Sequence, residues 1–305
     1  MSRGEGEFQW SSVLCCPTCR EDLDAVGGGV VCSKCGDHFE IRDSIPILLP
    51  HGYRTTQVRQ QQMVFDGEAM RRGSANGRGA LKLDPWMQSY VERLGEVIGP
   101  LDDVEVAVEV GTGSGWMVFA LASAGVKVIG CDVSIVSLER LSVNLERVGL
   151  RKSVVLVCGV ANALPIRGGI AELAVANAVL EHIEDDEAAA RELVRVVSPS
   201  GFVMTTVPLA YGLLNPLFLL PNIIHDRRIG HLRRYTTCRL EKLFPVASVR
   251  AIFYSGHSRK AFAIILSALH FRVDMESVER YDRMRENQQM WSSNLIAIFQ
   301  IKVGL

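Results

Sequence analysis

An apolar run that ends in three alternate glycines constrains this chain more than any other stretch. It reads Val106-Ala-Val-Glu-Val-Gly-Thr-Gly-Ser-Gly115, and a helix-compatible run, Trp116 to Ala124, follows at once. Strand, glycine turn and helix in this order let an α/β sheet present bare backbone to a nucleotide-like ligand. Gly111, Gly113 and Gly115 remove side chains where the chain must turn tightly and approach that ligand closely, with Thr112 inside the turn.

The residues around the turn narrow the ligand. A dinucleotide fingerprint requires a glycine three residues after the second one, and Trp116 stands there. Glu109 sits two residues before the first glycine, where its charge would repel a pyrophosphate and suit a cation. S-adenosylmethionine carries a sulfonium and an ammonium and has no phosphate, so the turn favours it over a dinucleotide. The next apolar run, Val126-Lys-Val-Ile-Gly-Cys-Asp132, ends in a carboxylate 21 residues after Gly111. That spacing predicts Asp132 at the tip of the neighbouring strand, within reach of ribose hydroxyls.

Ser153 to Cys158 reads as a third strand, followed by Gly159-Val-Ala-Asn-Ala-Leu-Pro165 and Ala174-Val-Ala-Asn-Ala-Val-Leu-Glu-His-Ile183. From 106 to 207 the chain resembles the class I S-adenosylmethionine-dependent methyltransferases. It is most similar to the ubiquinone-biosynthesis type, which carries the Val-Leu-Glu-His-Ile tag after its fourth strand. The resemblance implies a Rossmann-like, seven-stranded α/β methyltransferase sheet. It also implies a cofactor site of Glu109, Gly111, Thr112, Gly113, Gly115, Asp132, Val133, Val160, Ala161 and Asn177. Two positions depart from the family. Val160 replaces the acid that commonly meets the adenine amino group, which leaves backbone groups or Asn162 for that contact. Ala171 replaces a Phe before the acid at Glu172, and both losses are expected to weaken cofactor affinity.

His182 sits after the fourth strand, and Gly230-His-Leu-Arg-Arg-Tyr-Thr236 resembles a tag before a later helix in many of these enzymes. His231, Arg234 and Tyr235 would then face the active site, and His182, His231 and Tyr235 are the candidates for removing an acceptor proton. A structural role for the Glu-His pair remains open.

A second unit precedes this sheet. Cys16-Pro-Thr-Cys19 and Cys32-Ser-Lys-Cys35 are two Cys-x-x-Cys knuckles separated by twelve residues, with the turn Gly27-Gly28-Gly29 between them. Four thiolates in this pattern suit structural Zn²⁺, with Cys15 as a competitor for Cys16. So small a unit cannot fold on apolar burial alone, so metal would contribute to its folding directly. With Phe39-Glu-Ile-Arg-Asp-Ser-Ile-Pro-Ile-Leu48, the segment resembles the small zinc-ribbon activator subunits that pair with tRNA and release-factor methyltransferases.

The expected organisation is a ribbon over 10–50, a linker over 51–83, and a methyltransferase domain over 84–305 with a substrate-side insertion at 208–234. Asp84 and Pro85 predict a helix start, and Gly99-Pro100 its end. In the family such a helix often covers the cofactor; simple packing on the sheet is the other reading. Leu213 to Pro221 is apolar and broken by proline. Apolar content of 48% and charged content of 22% fit a globular protein. Without an apolar leader or an uninterrupted apolar run of spanning length, the expected location is cytoplasmic and no transmembrane segment is expected.

The acceptor is less constrained. Residues 225–260 hold nine Lys/Arg and two Asp/Glu, which suits an anionic small-molecule, lipid or sugar acceptor. RNA is the alternative acceptor. The ribbon counts against it, with four Lys/Arg and eight Asp/Glu in residues 1–50, because RNA binding rests on neutralising phosphates. A non-catalytic binding protein with a degenerate cofactor pocket is the third reading, kept open by Val160.

Overall fold

The computed structural model describes residues 8–50, 63, 66, 67, 83–210 and 226–303. Most of the 51–83 linker and the Leu213 to Pro221 run lie outside the described residues. Four short strands come first: β1 (Leu23–Val26), β2 (Gly29–Cys32), β3 (His38–Arg42) and β4 (Ile45–Ile47). They pair as an antiparallel meander. Gly27 and Gly28 form the two-residue turn between β1 and β2, with φ of 57° and 89°. Two consecutive positive φ values make the tight hairpin turn that matches strand twist.

The larger unit follows. Its elements are α1 (Pro85–Ile98), β5 (Val106–Val110), α2 (Trp116–Ser123), β6 (Lys127–Asp132), α3 (Ile135–Arg147), β7 (Val154–Cys158), β8 (Ala171–Asn177), α4 (Asp186–Val196) and β9 (Val197–Pro208). Then come α5 (Thr237–Leu243), β10 (Ala247–Ser255), α6 (Ser258–Ala268), α7 (Met275–Arg283) and β11 (Asn294–Ile301). The seven later strands lie in the order β7-β6-β5-β8-β9-β11-β10. The pairs among β5 to β9 are parallel, and β11 pairs antiparallel with both β9 and β10. No described helix is long and apolar enough to cross a membrane.

One sheet therefore holds eleven strands rather than seven. The ribbon continues it: β4 runs parallel to β7 with Ile47 opposite Cys158, and the Leu48 N–H donates to the Cys158 carbonyl at 2.8 Å. The expectation of a small β unit standing before the sheet missed this pairing, because hydropathy does not report which edge a strand will join.

Alternation along the strands divides the core. Ala107, Val128, Leu156 and Val175 pack with Leu94 of α1, Leu121 of α2 and Leu138 of α3. Val108, Ile129, Val157 and Ala174 face the other way, with Leu193 of α4, Leu240 of α5 and Leu14, Val30 and Phe39 of the ribbon. On the first face the rings of Trp86, Tyr90 and Trp116 meet edge to face, and buried Arg93 pairs with Glu286 at 2.9 Å. Helix α1 packs against α2 and α7.

A polar latch joins ribbon and core on the second face. Glu192 Oε2 accepts from Arg20 Nη2 at 2.9 Å, from the Leu164 N–H at 2.8 Å and from Arg195 Nη2 at 2.8 Å. Removing that carboxylate orphans three donors, two of them on charged side chains. Glu192→Ala should cost about 2–3 kcal/mol, reduced from the fully buried case because Arg20 is partly solvated. The midpoint of chemical denaturation checks it, and an unchanged midpoint would show that the latch contributes nothing.

Candidate active site

The glycine turn leaves the carboxyl end of β5, with φ of 73° at Gly111, 49° at Gly113 and 77° at Gly115. The three glycines are not equivalent. A Cβ on Gly111 would lie 2.4 Å from Val179 Cγ2, and one on Gly115 would lie 2.2 Å from Leu141 Cδ1. Those two make room for neighbouring side chains. A Cβ on Gly113 would meet nothing nearer than the Gly111 carbonyl oxygen at 4.0 Å, so this glycine borders open space.

Two buried carboxylates flank the turn. Glu109 is 1% exposed, and its Oε2 has no hydrogen-bond partner among the described residues. Burial pushes its carboxyl well above the usual range, against a lowering contribution from the Val118 N–H. Asp132 lies at the tip of β6. Its Oδ2 accepts from the Gly113 N–H at 2.8 Å and from Thr112 Oγ1 at 3.4 Å, and its Oδ1 accepts from the Ser134 N–H at 2.8 Å. Burial raises this carboxyl too, although those donors oppose the shift. Asp66 adds a third acid nearby, accepting a hydrogen bond from Ser134 Oγ. An orphaned buried acceptor, an open glycine and a tethered carboxylate together fit a cationic ligand that also carries hydroxyls.

The remaining sequence candidates border the same strand ends. Val133 is half-buried after β6, and its carbonyl lies 3.5 Å from Cys158 Sγ. Val160 is buried and bridges to Ala163, with Ala161 half-buried between them. Asn177 closes β8. Ala171 opens β8, and Glu172 accepts the Val106 N–H at 2.8 Å at the start of β5. Both therefore sit at the opposite end of the strands from the glycine turn. The expectation that Ala171 weakens the cofactor site is corrected: sequence distance along one strand hid which end faces the cleft.

After β8 the chain gathers two histidines. The rings of His182 and His231 meet edge to face, with centroids 4.9 Å apart. His182 Nδ1 lies 3.2 Å from the Gly230 carbonyl oxygen and His231 Nδ1 lies 2.8 Å from Asp226 Oδ1. Burial, then the neighbouring His231, pull the His182 pKa down to about 4, so its ring is neutral near neutral pH. Glu181 is 1% exposed, with Oε1 at 3.7 Å from His231 Nε2. Arg234 grips Asp226 at 2.6 and 2.7 Å.

Tyr235 is placed differently from expectation. It is fully buried, and its hydroxyl lies 2.8 Å from Asp186 Oδ2 and 3.0 Å from the Leu180 carbonyl. Burial and Asp186 push its pKa up. A phenol held this way braces α4 against the Leu180 turn and cannot take an acceptor proton. Sequence reasoning gave no part to Glu181, Asp226 or Asp66. Glu181 had a signal, its place beside His182 in the tag; the other two show their partners only after folding.

In the ribbon, the Sγ atoms of Cys16, Cys19, Cys32 and Cys35 all lie within 4.8 Å of one another. Cys16 and Cys35 are 3.6 Å apart, and Cys19 and Cys32 are 3.3 Å apart. Both separations exceed a disulfide bond of about 2.05 Å and approach the ~3.8 Å between thiolates on tetrahedral zinc. Backbone N–H groups of Lys34 and Cys35 oppose the effect of burial at Cys32 and bring its thiol down to about 7. Cys15 is buried away from the cluster, and burial raises its thiol.

Residues 108–205 match the methyltransferase-domain family. No curated protein matches the chain. Several solved structures share the fold over most of its length. The geranyl diphosphate C-methyltransferase from Streptomyces coelicolor A3(2), solved with Mg²⁺, geranyl-S-thiolodiphosphate and S-adenosyl-L-homocysteine, has a TM-score of 0.60 at 13% identity, over 81% of this chain and 99% of that one. The [4+2]-cyclase SpnF has a TM-score of 0.58 at 19% identity, over 81% and 97%. The N-methyltransferase NodS from Bradyrhizobium japonicum WM9, solved with S-adenosyl-l-homocysteine, has a TM-score of 0.50 at 15% identity, over 78% and 98%.

The unequal glycines yield a paired test. Gly115→Ala should lose roughly 2–5 kcal/mol, from a left-handed backbone and a clash with Leu141. Gly113→Ala should lose only about 1–2 kcal/mol, from the backbone alone. Thermal unfolding of the two variants measures the gap, and equal losses would contradict the geometry.

Proposed function

We propose that the chain is a class I S-adenosylmethionine-dependent methyltransferase, a reading supported by the methyltransferase-domain match over residues 108–205, and that it moves the sulfonium methyl group to a small-molecule acceptor, lipid and sugar acceptors included. The observation that carries the cofactor half is the pair of buried carboxylates, Glu109 and Asp132, on either side of the open Gly113. Glu109 would face the cationic methionine end, and Asp132 the ribose. Gly111, Thr112 and Gly115 would shape the turn, and Val133, Val160, Ala161 and Asn177 would line the rest.

Methyl transfer is a displacement that needs acceptor, methyl carbon and sulfur in line, more than it needs acid–base groups. Where the acceptor is a hydroxyl, its proton must leave. His182, neutral near pH 7, and His231 are the groups to receive it. Cys16, Cys19, Cys32 and Cys35 would hold Zn²⁺ as a structural ion.

The charge pattern supports a small acceptor over RNA. Arg233, Arg234, Arg239 and Lys260 of the basic run each pair with an acid of the same chain. Cations already paired at home contribute little to a phosphate footprint. Solved chains of this fold include a geranyl diphosphate methyltransferase and an N-methyltransferase.

Incubation with methyl-labelled S-adenosylmethionine and separated cell fractions should place the label in the small-molecule or lipid fraction. Label in RNA, with binding that falls steeply with salt, would overturn the acceptor assignment. Calorimetry should show S-adenosylmethionine binding that weakens at least tenfold in Gly113→Ala; a wild-type chain indifferent to millimolar cofactor would end the methyl-transfer reading. Zinc removal by a chelator should unfold the ribbon and lower the thermal midpoint of the whole chain.

A further inference from the structure

The hairpin of α6 and α7 carries apolar side chains that the fold does not cover. Phe262, Leu266, Leu269 and Phe271 are each between 41% and 64% exposed. Together they bare on the order of 400 Å² of apolar surface, as much as the largest patch on an ordinary monomer. Their backbone is fixed. After α6 the chain turns at a left-handed residue, His270, with φ of 64°. The N–H groups of Leu269 and Phe271 both donate to the Leu266 carbonyl, at 3.1 and 3.0 Å.

The same surface holds a recess. A groove of about 360 Å³ runs between the two helices, with Phe262, Leu266, Val273 and Val278 in its lining. Leu269 and Phe271 project from the turn that leads into Arg272 and Val273 at one end of it. A two-fold pair needs one patch that supplies both the projecting group and the groove that receives it.

The charges at the rim separate the partners such a patch could take. Arg259, Arg272 and Asp274 line the groove, and exposed Glu276 and Arg280 follow on α7. Lys260 is engaged with Glu279 at 2.5 Å, and Arg259 lies over the Tyr281 ring, 4.6 Å from its centroid. A polyanion or an anionic bilayer would meet exposed Asp274 and Glu276 at this rim. A partner that carries both signs can match both, and a second copy of the chain carries them by construction.

We propose that the α6–α7 face is the contact between two copies of this chain. Leu269 and Phe271 of each copy enter the groove of the other, and the arginines of each face Asp274 and Glu276 of the other. Two such patches bury roughly 800 Å² of apolar surface, which approaches the ~1,200 Å² of a specific interface only when the rim is added, so the pair forms and separates reversibly. The contact does not rest on methyl transfer.

Sedimentation of the full chain over a concentration series tests this. The wild type should pass from monomer to dimer as concentration rises through the micromolar range. Phe262→Ser with Phe271→Ser should raise the dissociation constant at least tenfold, while the thermal midpoint of the dilute chain stays unchanged because both rings are exposed in a single copy. Charge reversal gives a second readout. Copies with Arg259→Glu and Arg272→Glu should stay monomeric, and so should copies with Asp274→Asn and Glu276→Lys, in which Asn keeps the helix cap. An equimolar mixture of the two should pair. A wild type still monomeric at roughly 1 mM would overturn the proposal. So would a dimer indifferent to the two serines, or a mixture that fails to pair. Flotation with anionic phospholipid vesicles should leave the chain unbound; binding that the two serines abolish would assign the face to a bilayer instead.

Discussion

The carboxylate of Asp132 ties the cleft together. It gathers the Gly113 amide, the Thr112 hydroxyl and the Ser134 amide, and so links the turn after β5 to the tip of β6 and the start of α3. Charge-assisted bonds of this kind are stronger than neutral ones, and in a buried setting each needs the others to offset desolvation. The turn keeps its left-handed glycines because this anchor and the packing of Val179 and Leu141 leave no other course. A ligand whose hydroxyls donate to this acid meets a group that is already oriented.

Around that anchor the chain spends its charges internally. Glu192 binds Arg20 and Arg195, Asp226 binds Arg234, and Asp186 binds Arg233 and Arg239. A sequence with many cations over residues 225–260 thus folds into a surface with fewer available than composition implies. The nine Lys/Arg against two Asp/Glu over residues 225–260 would alone have pointed toward a polyanionic partner, and pairing weakens that inference.

Much of the sheet was legible beforehand because its signals are local. Glycines at alternate positions after an apolar strand, a carboxylate 21 residues on, and two Cys-x-x-Cys pairs each carry their own spacing. The last two strands, β10 and β11, pair antiparallel, with Phe253 opposite Ile296. The union of ribbon and sheet was not legible, since it rests on partners far apart in sequence, Ile47 with Cys158 and Arg20 with Glu192. Tyr235 stood in a family tag and lies in the core, because its partner Asp186 is nearly fifty residues away and only the fold brings them together. Glu181 was visible in the same tag as His182. Its burial, with Oε2 lacking a hydrogen-bond partner among the described residues, arises only in three dimensions.

The pairing of β4 along β7 has a consequence for solubility. Strand β7 is Val-Val-Leu-Val-Cys, every residue of it buried, and without β4 it would be the outermost strand of the parallel sheet. Such a bare, uncharged margin is a template for joining another chain edge to edge. The ribbon therefore acts as a selvedge. If the ribbon lost its fold, the first result would be self-association along β7, before any change in the chemistry of the cleft.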